Sequence, residues 1–152
     1  MGPDLAAQAL MEQAEWDFKA ADVLRTSGFH EWACYACQQA AEKAIKSART
    51  LLATNVDTIK VHGLGTLFGH LPLLSPTTWD QGFLEGLQTL TTHNEGARYP
   101  GLRGNQPQKP PHDVYTSAQS EEAIVMAQRT IEYCKKLCSD LAEFWSKNSH
   151  AP

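Results

Sequence analysis

The sequence predicts an all-α fold, an up-and-down antiparallel bundle of four long helices plus one short helix. Three observations carry this. Apolar residues recur every three or four positions in each long segment, the period of a helix buried on one side. No segment alternates apolar and polar residues as a half-buried strand does. Glycine, proline and small polar residues punctuate the gaps between the periodic segments. The 152 residues are 42% hydrophobic and 20% charged. They suit one domain over 1–152, large enough to bury a core without staples.

The first helix is expected from Pro3 to Thr26, with Leu10, Ala14, Phe18, Ala21 and Leu24 on its apolar stripe. Ser27-Gly28 ends it, because glycine takes a left-handed cap at little cost. The second runs from Phe29 to Ala53. There Trp32, Ala36, Ala40, Ala44 and Ala48 repeat every fourth position, and Cys37 and Ala41 widen the stripe. Small side chains in register let a neighbouring helix approach closely. Glu42 and Lys46 read as an ion pair on the wet face. A short helix follows from Leu64 to Leu71. Its glycines lack phosphate-loop spacing and no strand precedes them, so they read as close-packing positions.

Ser75-Pro76 opens the next long helix, from Thr77 to Ala97, with Phe83, Leu84, Leu87 and Leu90 on its buried side. A loop then covers 99–115, rich in proline and glycine, and loops of that length are commonly functional. The last helix begins at Thr116, capped with Gln119, and runs to Lys147. Ala123, Ala127, Ile131, Cys134, Cys138, Leu141 and Trp145 share one of its faces. At about 45 Å it is long enough to overhang the bundle or meet a partner chain. The tail, 146–152, is expected to fray.

Composition narrows the function. No apolar run approaches the length of a membrane span, and Asp4 and Glu12 interrupt the opening stretch, which does not read as a signal peptide. A cytoplasmic protein without membrane partners is expected. The net charge of −4 argues against broad nucleic-acid binding, which needs a cationic surface. Cys34, Cys37, Cys134 and Cys138 have spacings that invite a zinc reading, but both pairs fall within helices among apolar residues. They read as core thiols, with no metal and no disulfide framework.

Several fragments in order point to a family. They are Gln13-Ala14-Glu15-Trp16-Asp17-Phe18, then Glu31-Trp32-Ala33-Cys34, then Gln38-Gln39-Ala40-Ala41-Glu42-Lys43-Ala44-Ile45-Lys46. His62-Gly63-Leu64, Arg98-Tyr99-Pro100 and Tyr115-Thr116 follow. This series resembles the HEPN domain, named for higher eukaryotes, prokaryotes and nucleotide binding, over nearly the whole chain. Glu31 to Cys37, together with Pro111 to Ser117, is most similar to the C-terminal domain of sacsin-type co-chaperones. The resemblance implies a bundle that forms homodimers and binds a nucleotide such as ATP or GTP. It also implies partnership with a chaperone or nucleotidyltransferase module. Many HEPN proteins are metal-independent ribonucleases in which four to six residues separate an arginine from a following histidine. Here His112 is too far from both Arg98 and Arg103, and His93 precedes Arg98, so that motif is absent.

Arg98 reads as a phosphate ligand with Tyr99 stacking on a base, or as a cap on the preceding helix with Tyr99 in the core. Arg103 and Lys109 extend a positive window from His93 to His112 that holds Glu95 as its one acidic residue. Lys43 and Lys46 reach toward this site or line a wet helix face, and His62 is a ligand contact or a satisfied polar group. Trp16, Trp32, Trp79 and Trp145 read as core or interface residues. The leading expectation is a non-catalytic nucleotide-binding and homodimerisation module that buries surface left over on the second and last helices. The alternatives are a divergent ribonuclease using His93 or His112 with Arg98 or Arg103, and a purely structural dimerisation domain.

Overall fold

The computed structural model describes residues 3–52, 63–65, 81–101 and 109–148. They form α1 (Pro3–Thr26), α2 (His30–Leu51), α3 (Gln81–Gly96), α4 (Pro111–Val114) and α5 (Ser117–Asn148). The expected all-helical bundle of four long helices and one short one is therefore present, with no strand among the described residues.

The α1–α2 turn forms as its residues dictate. Gly28 takes φ of 87°, the Phe29 N–H donates to the Leu24 carbonyl at 2.9 Å, and the Gly28 N–H donates to the Arg25 carbonyl at 3.1 Å. These are the two bonds of a Schellman cap, and they turn α2 back along α1. The contact between the helices is built from small side chains. Ala7, Ala14 and Ala21, seven apart on α1, are buried, as are Ala33, Cys37, Ala40, Ala44 and Ala48 on α2. The backbones come close enough for the Ser47 hydroxyl to donate to the Ala7 carbonyl at 2.6 Å.

α2 is central and touches every other helix. α5 covers α2 with Ala123, Ala127, Ile131, Cys134, Leu137 and Leu141. Its capping box is reciprocal: the Thr116 N–H donates to Gln119 Oε1 at 2.8 Å, and the Gln119 N–H donates to Thr116 Oγ1 at 3.4 Å. α3 docks with Phe83, Leu87 and Leu90, and Gly86 lets it approach α5, since a Cβ there would sit 2.5 Å from Met126 Sδ. Leu64 is fully buried, and its N–H donates to Thr91 Oγ1 of α3 at 3.1 Å.

Two expectations change. Glu42 and Lys46 do pair, but inside the protein: the Glu42 side chain is 6% exposed and that of Lys46 13%. Gln38 also donates to Glu42, at 2.9 Å, so α2 carries a satisfied polar ladder where a solvated face was expected. Of the core and interface readings for Trp16 and Trp32, the core one falls, since both are exposed and the alanine stripes face inward in their place. Trp79 and the Trp145 side chain lie outside the described residues. The 99–115 loop contains the helical turn α4, which Pro111 opens at the first helical position after an extended Pro110. Of the short helix expected from Leu64 to Leu71, Leu64 and Gly65 are described and helical, and the remainder lies outside the described residues.

Candidate functional site

The chain curls as it leaves α3. The N–H groups of Arg98 and Tyr99 both donate to the Glu95 carbonyl, at 3.0 and 3.1 Å. This returns the Arg98 side chain along the helix end, where Nε donates to the Asn94 carbonyl at 2.6 Å. Nη2 makes a longer contact of 3.4 Å with Asn94 Oδ1. A guanidinium suits this place because the C-terminus of a helix is its negative end.

Two aromatic rings hold it there. The Arg98 Cζ lies 5.0 Å from the Tyr35 ring centroid and 5.3 Å from that of Tyr99. Tyr35 meets Trp32 edge-on, with centroids 6.1 Å apart. The result is a row of Trp32, Tyr35, Arg98 and Tyr99. The pinned cation keeps an Nη edge whose one contact among the described residues is the long one to Asn94. Cation–π contacts of this kind suit arginine better than lysine.

Buried side chains fix the corner. His93 is 2% exposed, and its Nδ1 is hydrogen-bonded to the Tyr115 hydroxyl at 2.9 Å, tying α3 to the entry of α5. His30 Nδ1 is hydrogen-bonded to Ser120 Oγ at 2.9 Å, tying α2 to the same entry. α4 packs against α2 beside them.

The structure brings Arg98 and Tyr99 together, and places Lys109 with Tyr99 around a shallow dimple that also includes Gly96, Gly101 and Pro111. The dimple has room for about one water, roughly 10 Å³, so a ligand here would lie on the surface. Tyr99 is 52% exposed and not a core residue, while Arg98 does cap the α3 carbonyls. Lys43 is engaged elsewhere, in a part-buried 2.7 Å ion pair with Asp17 of α1. Arg103 and His62 lie outside the described residues. His93 is closed off by its burial, and His112 is exposed beside Asp113 at 3.1 Å. A cavity of about 650 Å³ lies between the far ends of α1, α2 and α5, lined by Met11, Ser47, Leu51 and Cys138 among others. It includes none of the residues expected at the site.

Sequence reasoning did not find the role of Tyr35, Asn94 or Tyr115. Tyr35 sits three residues from Trp32, which places both toward one side of α2, but nothing local signals that the end of α3 arrives there.

The HEPN domain family pattern matches residues 7–137 of this chain. The chain belongs to the HEPN domain family. Its fold is shared with TT1696 from Thermus thermophilus, at TM-score 0.74 and 26% identity over 86% of this chain and 97% of that one. ST0689, an archaeal HEPN homologue, gives TM-score 0.68 at 24% identity, over 87% of this chain and 97% of that one. A HEPN domain protein, tm0613 from Thermotoga maritima, gives TM-score 0.62 at 23% identity, over 86% and 98%. No curated protein matches the chain. No described helix is long and apolar enough to cross a membrane.

The four cysteines of this HEPN domain are free thiols, with Cys34, Cys37 and Cys134 buried and Cys138 partly so. Among the described residues, no group of three or more metal-ligating side chains comes together. Burial, and then the neighbouring Cys34, pushes the Cys37 thiol well above its ordinary 9.0. Burial, and then Cys138, does the same for Cys134. Burial also raises Cys138, against a lowering hydrogen bond with Ser47. A thiol reagent at neutral pH is therefore expected to label Cys138 slowly and the other three only after denaturation. The folded state holds these protons more tightly than the unfolded chain. Stability is then complete below pH 9.0 and falls as pH rises beyond it, while Cys37→Ala flattens that fall. Rapid native labelling of Cys37 would contradict the burial.

Proposed function

We propose that this HEPN domain is a non-catalytic cytoplasmic module that binds nucleotide phosphates at the Arg98 corner and self-associates. The observation that carries the reading is the pinned guanidinium between Tyr35 and Tyr99, beside a half-exposed ring. A planar fork of donors matches phosphate oxygens, and the outer face of Tyr99 offers a base a stacking surface. Lys109 adds positive charge nearby, and the proposal extends the site to Arg103 and His62 on the strength of the sequence alone. Lys43 would join only by releasing Asp17. An open surface of this kind favours affinities in the high micromolar to millimolar range, with ATP or GTP as the ligand.

The partner classes proposed are a chaperone or a nucleotidyltransferase module, following the sacsin-like fragments. The helix that carries Glu31 to Cys37, α2, packs against α4, which lies within Pro111 to Ser117.

Calorimetric titration with ATP and with GTP tests the nucleotide part. Arg98→Ala is expected to weaken binding roughly 10- to 100-fold, since hydrogen bonds to charged groups contribute about 1.5–3 kcal/mol. Absence of wild-type binding at millimolar nucleotide rejects this part of the reading, and unchanged affinity in Arg98→Ala removes that residue from the site.

A further inference from the structure

The cavity at the far end of the bundle is a groove between α1 and α5, floored by α2, and it holds about 650 Å³. α1 and α5 run antiparallel along it. Glu15 pairs with Lys135 at 2.9 Å, and Met11 and Gln8, earlier on α1, line the groove with Ser139 and Ala142, later on α5. Ala7, Met11, Leu51, Cys138 and Ala142 make its wall apolar. Ser47 adds no donor, since its hydroxyl proton goes to the Ala7 carbonyl at 2.6 Å. From Lys135 to Ser146 the groove runs about 16 Å at 1.5 Å per residue.

Its polarity is one-sided. Lys135 is the one charged residue among the described lining residues, and the Ser139 hydroxyl stands one turn from it on α5. The Lys135 ammonium carries three protons and gives one to Glu15 across a half-exposed contact, so two remain to give. The opposite end of the groove lies beside Leu51 and Ser146, in the last turns of α2 and α5. Those are negative helix ends and disfavour an anion.

We infer that this groove binds a linear amphiphile, a saturated alkyl chain with a carboxylate head. The head sits on Lys135 and Ser139, and the tail runs along Met11, Cys138 and Ala142 toward Leu51. The volume falls within the range of small-molecule sites, about 300–1,000 Å³. An extended peptide advances about 3.3–3.6 Å over three backbone bonds, so an alkyl chain filling about 16 Å runs to roughly a dozen carbons. A nucleotide fits poorly: no described lining residue is aromatic, and one ammonium stands where phosphates would need several cations. The groove shares no residue with the dimple beside Tyr99, so this inference stands apart from the nucleotide reading.

Cys138 reports on occupancy, because its thiol lines the groove and is partly buried. The probe is dodecanoate below its micelle concentration, with thiol labelling at neutral pH followed by mass spectrometry. At about ten times its dissociation constant, dodecanoate is expected to slow Cys138 labelling about tenfold, since only the empty fraction reacts. Unfolding by a detergent would do the reverse and expose all four thiols. Affinity is expected to rise about fourfold per CH₂ from octanoate to dodecanoate, the value of removing one methylene from water. Lys135→Met is expected to weaken binding at least about tenfold. Glu15→Gln, which frees the ammonium, is expected to tighten it about two- to fivefold. Ala142→Trp, at an exposed position, fills the groove and is expected to abolish the protection with circular dichroism unchanged. Neutral dodecanol that protects as well as dodecanoate overturns the carboxylate head and leaves the groove to apolar side chains of a partner protein. Labelling that dodecanoate leaves unchanged or quickens, or protection that survives Ala142→Trp, overturns the site itself.

Discussion

Phe83→Ala is expected to lower folding stability by about 3–5 kcal/mol, the usual cost of deleting a buried aromatic side chain. Phe83 is among the largest fully buried side chains and is 1% exposed. It packs with Leu87 and Leu90, and the Arg129 guanidinium sits 5.1 Å from its ring centroid. α3 contacts the described bundle through α2 and α5, so this ring is a large share of what docks it. The loss reads as a lower denaturant midpoint at unchanged slope. Because Arg98 sits at the end of α3, nucleotide affinity should weaken with it. A loss below about 1 kcal/mol would mean that α3 does not dock as described.

Glu42→Ala is the second large effect. It removes the carboxylate that accepts from both Gln38 and Lys46, and leaves a mostly buried ammonium and a fully buried amide without it. Breaking a buried pair from one side costs about 3–5 kcal/mol, more than the intact pair contributes. The asymmetry is the test. Glu42→Gln together with Lys46→Met should recover most of the loss, because it removes the charge on both sides and keeps an acceptor for Gln38. If Glu42→Ala unfolds at the wild-type midpoint, the ladder is solvated, as the i,i+4 spacing alone suggests.

These two cases show where the sequence was legible. Phe83, Leu87 and Leu90 announce a buried face because their period needs no knowledge of neighbours. The Gly28 and Thr116 caps are equally local, since their hydrogen bonds close within five residues. Glu42 was misread because its burial is decided by what packs over α2, and its pairing with Lys46 looks the same wet or dry. Trp16 and Trp32 could be read only as core or interface for a related reason. An amphipathic period cannot say which of two apolar stripes faces inward, and the alanine stripe faces inward because small side chains let α1 and α2 close on each other. α4 is one turn long, too short for any period to appear. At the site, Arg98 was visible as a cation after a helix. The ring of Tyr35 that pins it arrives from α2, sixty-three positions earlier in the chain, and no local pattern announces that contact.

In the proposed site the Arg98 guanidinium meets the nucleotide phosphates. Nitrogen-resolved NMR of the arginine Nε–H groups during an ATP titration tests it most directly. The Arg98 resonance is expected to move with ligand, while that of Arg25, paired with Asp22 at 2.9 Å on α1, stays in place. ATP binding that leaves Arg98 unmoved would place the phosphates elsewhere on the domain.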